Sequence, residues 1–392
     1  MLTTRPAARS HSHHGPPLLA AWRHVDAILV GAVVLISVFG ALMVYTTTRS
    51  GLHAAGRSPY YDVDKQLLFI GLGLVVMAVV ASIDYHRLRD WAPVLYGLST
   101  LLLLGVLVIG HKVQGSQAWF QFGPYQLEPS EVAKVTLIIA LASYCATFKG
   151  RLNGRGLLIV LALALVPFLL IYKQPDLGTA LVLAVVLLAV VLLAGVPVRY
   201  LAVLAVVCIV GIVGVVQLGV LKSYQEARLA TFLTAPNTPD PALLRTAKGA
   251  NEYNLDESKI AISDGAVFGK GIGNGPQTNS SSVPEQDTDF IFSAVGEQVG
   301  LVGGGILLLL FGLVIWRIWR AATLSRDLLG TLMCVGVLAM IGFQVFENVG
   351  MTMGIMPVAG IPLPFVSYGG SALLAEFAGL GLVLSVRMRR FT

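Results

Sequence analysis

Of the 392 residues, 56% are hydrophobic and only 12% are charged, with a net charge of +6; an ordinary soluble domain carries about 25% charged residues. That balance excludes a soluble enzyme. With no zinc-finger spacing and no basic-aromatic strip it also excludes nucleic acid as a partner, so the positive excess reads as Lys and Arg gathered on one side of a membrane. The three cysteines, Cys145, Cys208 and Cys334, lie far apart in apolar runs and imply neither a disulfide framework nor a metal site.

Residues 1–24 form a polar tail containing Arg5, Arg9 and Arg23. The apolar run after it is too long for a signal peptide and lacks a clear cleavage site. From residue 25 to 392 the chain reads as one all-α, polytopic membrane domain. Apolar runs fall near 27–47, 66–83, 92–109, 131–147, 156–172, 178–195, 200–220, 291–316, 328–349 and 371–386. Most have the roughly 17–25 residues needed to cross about 30 Å of hydrocarbon. Ten spans put both termini on one side. With that side cytoplasmic, the short inner segments hold fifteen Lys and Arg and the short outer ones five, the bias expected of a protein with both termini inside. Span parity then places the long polar segment 221–290 outside. A second, shorter polar segment, 110–130, carries Trp119 and several Gln.

Chemistry-bearing residues sit at the edges of these spans. Glu131 and Lys134 open the fourth, after Pro129 and a candidate N-cap, Ser130. Three residues apart, they share a helix face; charge inside a span faces a cavity or a partner, so the pair is either structural or functional. Asp176 stands before the sixth span, where it can cap the helix. The run Gly269-Lys270-Gly271-Ile272-Gly273-Asn274-Gly275 offers backbone N–H groups and one cation to a phosphate. It is not a Walker A sequence, and tight turns explain it equally well. Next comes Pro284-Glu285-Gln286-Asp287-Thr288-Asp289-Phe290-Ile291-Phe292, where three carboxylates meet the mouth of an apolar helix and desolvation can tune a pKa. Glu297, Glu347, Asn348 and Glu376 are polar positions within spans, working residues or packing contacts. Gly360 through Ser371, with Pro362, Pro364 and a glycine pair, disfavours regular helix just before the tenth span; such backbone lines a cavity or is covered by protein.

Six separated segments together resemble the SEDS family of bacterial cell-wall polymerases, over nearly the whole membrane region. They are Gln117-Ala118-Trp119, Pro129-Ser130-Glu131 with Lys134, Gln174 through Thr179, Gly269-Lys270-Gly271 with Gly273 and Gly275, Pro284-Glu285 with Thr288 through Phe292, and Pro364 through Ser371. Asn348-Val349-Gly350-Met351 and the run from Met356 to Pro364 look like the RodA branch, with FtsW-like chains second. Glu128 stands where that pattern usually has Gln, and Asp287 where it often has His.

The resemblance implies a peptidoglycan glycosyltransferase of the bacterial cytoplasmic membrane that polymerises lipid II at the outer face during cell elongation. The family's essential aspartate falls on Asp289, here the expected general base. Glu131, Lys134, Asp176, Lys270, Glu285, Ser367 and Tyr368 match the family's motifs and are expected to bind substrate. A divalent cation such as Mg²⁺ suits a diphosphate and oxygen ligands. A class B penicillin-binding protein is the expected partner. Two other classes compete: a transporter or flippase of lipid-linked precursors, with the intramembrane charges lining its path, and a scaffold that only recruits an enzyme.

Overall fold

The computed structural model describes residues 24–113, 116–123, 125–203, 206, 247–280 and 282–390. Its helices are α1 (Ala27–Ala54), α2 (Tyr61–Ser82), α3 (Tyr85–Ile109), α4 (Pro129–Ala146), α5 (Gly154–Lys173), α6 (Leu177–Leu193), α7 (Ala247–Gly265), α8 (Pro276–Asn279), α9 (Ile291–Thr323), α10 (Leu328–Thr352) and α11 (Gly370–Met388). Among the described residues, eight are long and apolar enough to cross a membrane. α6, at 17 residues, spans about 26 Å at 1.5 Å per residue. Nine of the ten expected spans therefore have their helix. Most of the seventh, 200–220, and the first part of the long polar segment lie outside the described residues, as does the tail up to residue 23.

The helix starts follow local chemistry. Asp84, Asn153, Asp176 and Asp327 each precede a helix and accept a hydrogen bond from an N–H of its first turn, replacing the partner that turn lacks. α4 begins differently from the sequence expectation. Pro129 is its first residue, Glu128 is the N-cap, and the Ser130 hydroxyl points back to Glu128 Oε1 at 2.6 Å. A proline suits that position because its missing N–H is not needed there.

The helices sort into a centre and a rim. In α4, 83% of the most apolar window is buried within the protein, and in α10 and α11 72%; in α2 and α3 the figures are 28% and 22%. The rim helices expose Leu, Val and Trp such as Leu67, Val75, Trp91 and Leu101, as lipid-facing surface does. The segment 110–130 adds a feature that the all-helical reading did not contain. Strands β1 (His111–Val113), β2 (Ser116–Phe122) and β3 (Tyr125–Leu127) form a small antiparallel sheet. Gln121 pairs with Gln126, and Phe120 with Leu127, which carries the chain back to the head of α4.

One end of the bundle is tied by ions. Asp26, 2% exposed, receives Arg317 through Nε at 2.8 Å and Nη2 at 2.6 Å, and Arg387 at 2.9 Å. This joins α1, α9 and α11. Nearby, His86 reaches Asp84 at 3.0 Å and Asp327 at 2.8 Å, and Arg389 donates to the carbonyls of Ala81 and Ser82 at the end of α2. Removing Asp26 leaves two guanidinium groups in a site with one anion fewer, and breaking such a buried pair costs about 3–5 kcal/mol. Asp26→Ala is expected to lower the unfolding temperature of the detergent-solubilised protein strongly. A variant that unfolds with the wild type would show that the triad contributes nothing.

Candidate active site

At the opposite end of the bundle, the chain between α10 and α11 forms a strap that side chains from three helices hold in place. Asn348 of α10, fully buried, donates to the Ile361 carbonyl at 2.8 Å and to the Asp289 carbonyl at 2.7 Å. Gln66 of α2 donates to Ser367 O at 3.0 Å, and Glu376 of α11 accepts the Phe365 N–H at 2.8 Å. Phe365 has φ +63°, a left-handed conformation costly for a bulky residue, and the Glu376 bond helps to hold it. The Ser367 hydroxyl accepts from Leu363 N and donates to Thr288 O at 2.6 Å, while Tyr368 N–H donates to Asp287 O at 2.8 Å. These prolines and glycines thus form an ordered backbone in which the Ile361, Leu363 and Ser367 carbonyls and the Leu363, Phe365 and Tyr368 N–H groups all have partners.

The turn 284–290 lies against the strap. Glu285 heads it with φ +54°, and its carbonyl accepts from Thr288 and Phe290. Gln286 points inward to the carbonyls of Thr47 and Thr278, both at 3.0 Å. Phe290, 2% exposed, packs with Ala261, Val283, Met351 and Val358. Glu285 is left exposed, and Asp287 and Asp289 half-buried. Burial, with Glu285 and Asp62 adding to it, pushes the Asp287 carboxyl up to about 6. The same burial, with Asp62 and Asp287 beside it, pushes the Tyr368 phenol up. Gly360, at φ +74°, passes beneath Asp289, and a Cβ on it would lie 3.3 Å from Oδ2. Only glycine takes that backbone cheaply and leaves the carboxylate its space.

A second charged group adjoins the strap. Glu131 Oε1 accepts from Lys134 Nζ at 2.8 Å, with side chains 4% and 2% exposed. Gln344 of α10 turns its amide oxygen to the same Nζ at 3.1 Å. Asp176 accepts the Thr179 N–H at 3.0 Å, and its Oδ2 is buried without a hydrogen-bond partner among the described residues. Two residues on, Gly178 touches the strap so closely that a Cβ would sit 2.9 Å from Ala359 O and 3.1 Å from Gly360 O. Asp176 and Asp289 are thereby brought to the same short stretch, 359–361. Glu347, beside Asn348, is fully buried with neither carboxylate oxygen hydrogen-bonded among the described residues.

The glycine run has a different task from cradling phosphate. α9 is broken at Gly300, and the chain from Gly265 to Gly273 laces onto the break: Lys270 N to Glu297 O, Gly271 N to Gln298 O, Leu301 N to Ala266 O, Val302 N to Val267 O, and Gly273 N to Gln298 Oε1. The N–H groups of Gly269, Lys270, Gly271, Gly273 and Asn274 are thus occupied, as the turn reading expects. The Lys270 side chain stays exposed. Glu297 accepts from Gln277 N, Thr278 N and Thr278 Oγ1, anchoring α8 inside the protein. Arg49 of α1 reaches Gly273 O and Asn279 Oδ1. The turn and strap therefore collect Asp289, Glu285, Asp287, Ser367 and Tyr368; Glu131, Lys134 and Asp176 form the adjoining group. Asn348 and Glu376 were visible only as polar positions in apolar runs, and Gln66 carried no signal beyond being a Gln near the start of a span.

This arrangement has known counterparts. The family model FtsW/RodA/SpoVE, "Cell cycle protein", matches residues 26–391. The chain belongs to that family. It is 34% identical to the peptidoglycan glycosyltransferase MrdB of Escherichia coli over 368 residues, 94% of each chain. With the stage V sporulation protein E of Bacillus subtilis it shares 32% over 365 residues, 92% of this chain and 96% of that one. A chain of a solved peptidoglycan synthase complex superposes with a TM-score of 0.75 at 33% identity, covering 94% of this chain and 99% of the other. Thermus thermophilus RodA superposes at 0.67 and 32%, covering 95% and 99%. The chain is thus a multi-pass helical membrane protein of this family.

The raised Asp287 fixes the sign of a pH effect. Its native pKa of about 6 lies above the ordinary value of 3.8, so folding penalises the ionised form. The penalty is complete above pH 6 and is relieved as the pH falls toward 4. Asp287→Asn is expected to unfold at a higher temperature than wild type at pH 7.5, with the gap closing at pH 4.5. A gap that stays constant across that window would contradict the assignment.

Proposed function

We propose that the chain is a peptidoglycan glycosyltransferase that polymerises lipid II, with Asp289 as general base. The observation that carries the reading is the Asp289 carboxylate, half-buried on a turn whose backbone is gripped by Asn348 and Ser367. A positioned base of this kind accelerates proton transfer by about 10²–10⁴. Asp289 takes the proton of the acceptor sugar hydroxyl; that oxygen attacks the anomeric carbon of the donor sugar; the bond to the diphosphate breaks, and its electron pair leaves on a phosphate oxygen. The base and the leaving group lie on opposite faces of the sugar, which inverts the anomeric centre. Relatives named peptidoglycan glycosyltransferase support the reading, and the RodA-like run 348–364 points to elongation.

Lys134, fixed by Glu131, and Asp176 serve the binding of the donor beside the strap, with Ser367 and Tyr368 setting the distance between strap and turn. Lys270 and Glu285, both exposed, meet the outer parts of the substrate. Among the described residues no three of His, Cys, Asp and Glu converge as a metal site. A divalent cation therefore belongs to the proposal only as a companion of the diphosphate, and no step runs through it. The likeness to a chain of a synthase complex supports a class B penicillin-binding protein as partner.

The test is glycan-strand synthesis from lipid II by purified, folded variants. Asp289→Asn is expected to lose about 10²–10⁴ in rate, Asp287→Asn to stay within a few-fold of wild type, and Lys134→Met to fail at limiting lipid II. Polymer formed in detergent separates an enzyme from a flippase, which acts only across a sealed bilayer. Near wild-type synthesis by Asp289→Asn would remove the base role.

The orientation proposed is both termini cytoplasmic, with the Asp289 end of the bundle and the segment 221–290 outside. A cysteine introduced as Asn237→Cys should react with an impermeant thiol reagent in intact cells. Reaction only after the membrane is opened would reverse the topology.

A further inference from the structure

α9 is two helices joined at Gly300, and the halves have different surroundings. Ile291 through Gln298 are buried on every side, inside the protein. From Leu301 on, the helix turns an apolar face outward: Leu301, Val302, Ile306 and Leu309 are exposed. The stretch from Leu301 to Arg320 is twenty residues, about 30 Å at 1.5 Å per residue, which is the thickness of the hydrocarbon layer. Trp316, Trp319 and Arg320 are exposed at its far end, the types of side chain that favour a polar membrane boundary. Gly300 therefore stands at the opposite boundary, on the Asp289 side.

That boundary is where the glycine run attaches. The Leu301 N–H donates to Ala266 O and the Val302 N–H to Val267 O, both at 3.0 Å. Val267 and Phe268 are thus fixed beside the first lipid-facing residues of α9. No side chain separates the two backbones: a Cβ on Gly300 would lie 2.7 Å from Val267 O and 2.8 Å from the Phe268 carbonyl carbon. The turn presents Val267, Phe268 and Ile272 outward, Phe268 at 81% exposure, and none of the three belongs to the core. Apolar residues scattered singly over a surface need no explanation. A bare phenyl ring on a rigid turn, flanked by two aliphatic side chains, calls for a cover.

The neighbours say what covers it. The patch adjoins the outward face of Leu301 and Val302, which meets lipid, and it stands at the height where acyl chains give way to headgroups. We infer that the turn 267–272 is an interfacial membrane anchor, with the Phe268 ring seated among the upper acyl chains of the leaflet on the Asp289 side. Val267 and Ile272 lie beside it. Lys270 falls between Phe268 and Ile272 and is exposed; its stem lets the charge rise to the headgroup layer, and interfacial segments combine apolar and basic residues in this way. The chain continues from this turn through α8 to the turn of Asp289, so the anchor sets the height of that carboxylate above the hydrocarbon.

The test is the depth of residue 268 in a bilayer, read on the full-length protein with one copy per lipid nanodisc. Phe268→Trp puts a fluorescent ring in place of an exposed one. Because backbone bonds lace the turn to α9, exchanging one ring for another does not carry it to a new depth. Subtracting the wild-type signal removes the five native tryptophans. The added emission should lose about half its intensity over lipids brominated near the ester end of the acyl chains, as befits a ring about 5–10 Å into the boundary. It should lose less over lipids brominated near the chain end, and little to iodide in the water. Quenching by iodide but not by brominated lipid would place the turn in water and overturn the inference. Emission that neither reagent quenches would show that protein covers the ring, and stronger quenching from the chain ends would remove it from the boundary; either result also overturns it.

Discussion

One carboxamide organises the Asp289 end of this molecule. Asn348 is fully buried and gives its two N–H bonds to the carbonyls of Asp289 and Ile361; a buried acceptor left without a bond costs about 1–3 kcal/mol. Because the two carbonyls belong to segments more than 70 residues apart, the same amide sets the distance between turn and strap. Ser367 repeats the link one strand-length away through Thr288 and Leu363. Neither segment is helical, so neither has a hydrogen-bond ladder of its own to fall back on.

The electrostatics divide along the same line. At the Asp26 end charges neutralise one another: one aspartate for two arginines, and His86 between two carboxylates. At the Asp289 end acids outnumber bases among the described residues, and there both oxygens of Glu347 and one of Asp176 lack a hydrogen bond. A purely structural need would be met more cheaply by apolar residues of the same volume. A surplus of acid is what a site requires if it must hold and move protons.

Much of this was legible in the chain. Long apolar runs bounded by Asp, Asn or Pro gave nine helices, with ends off by at most seven residues, because in hydrocarbon the backbone has little choice but helix and the caps are local. Asp176 as a cap and Glu131 with Lys134 as a pair followed from spacing alone. What spacing could not supply was contact across the sequence. Ser130 looked like the cap of α4 until Pro129 proved to be its first residue. The glycine run looked equally like a phosphate cradle and a set of turns, and only the register against Glu297 and Gln298 decides. The small sheet of 111–127 was hidden because its strands are three to seven residues long and carry no sustained alternation. Asn348, Gln66 and Glu376 read as isolated polar positions because their partners lie up to some 300 residues away.

The break at Gly300 also governs where this protein tolerates changes of length. The stretch from Ala266 to Gly273 and the stretch from Glu297 to Val302 are paired in a fixed order, backbone to backbone. One inserted residue between Gly265 and Gly273 would shift every later partner by one position, strand the N–H of Lys270 or Gly271 in a crowded site, and pull on the segment that leads through α8 to the acidic turn. Insertions and deletions in the polar region before α9 are therefore barred from these eight positions. A loop that looks dispensable by composition is, for changes of length, part of the core.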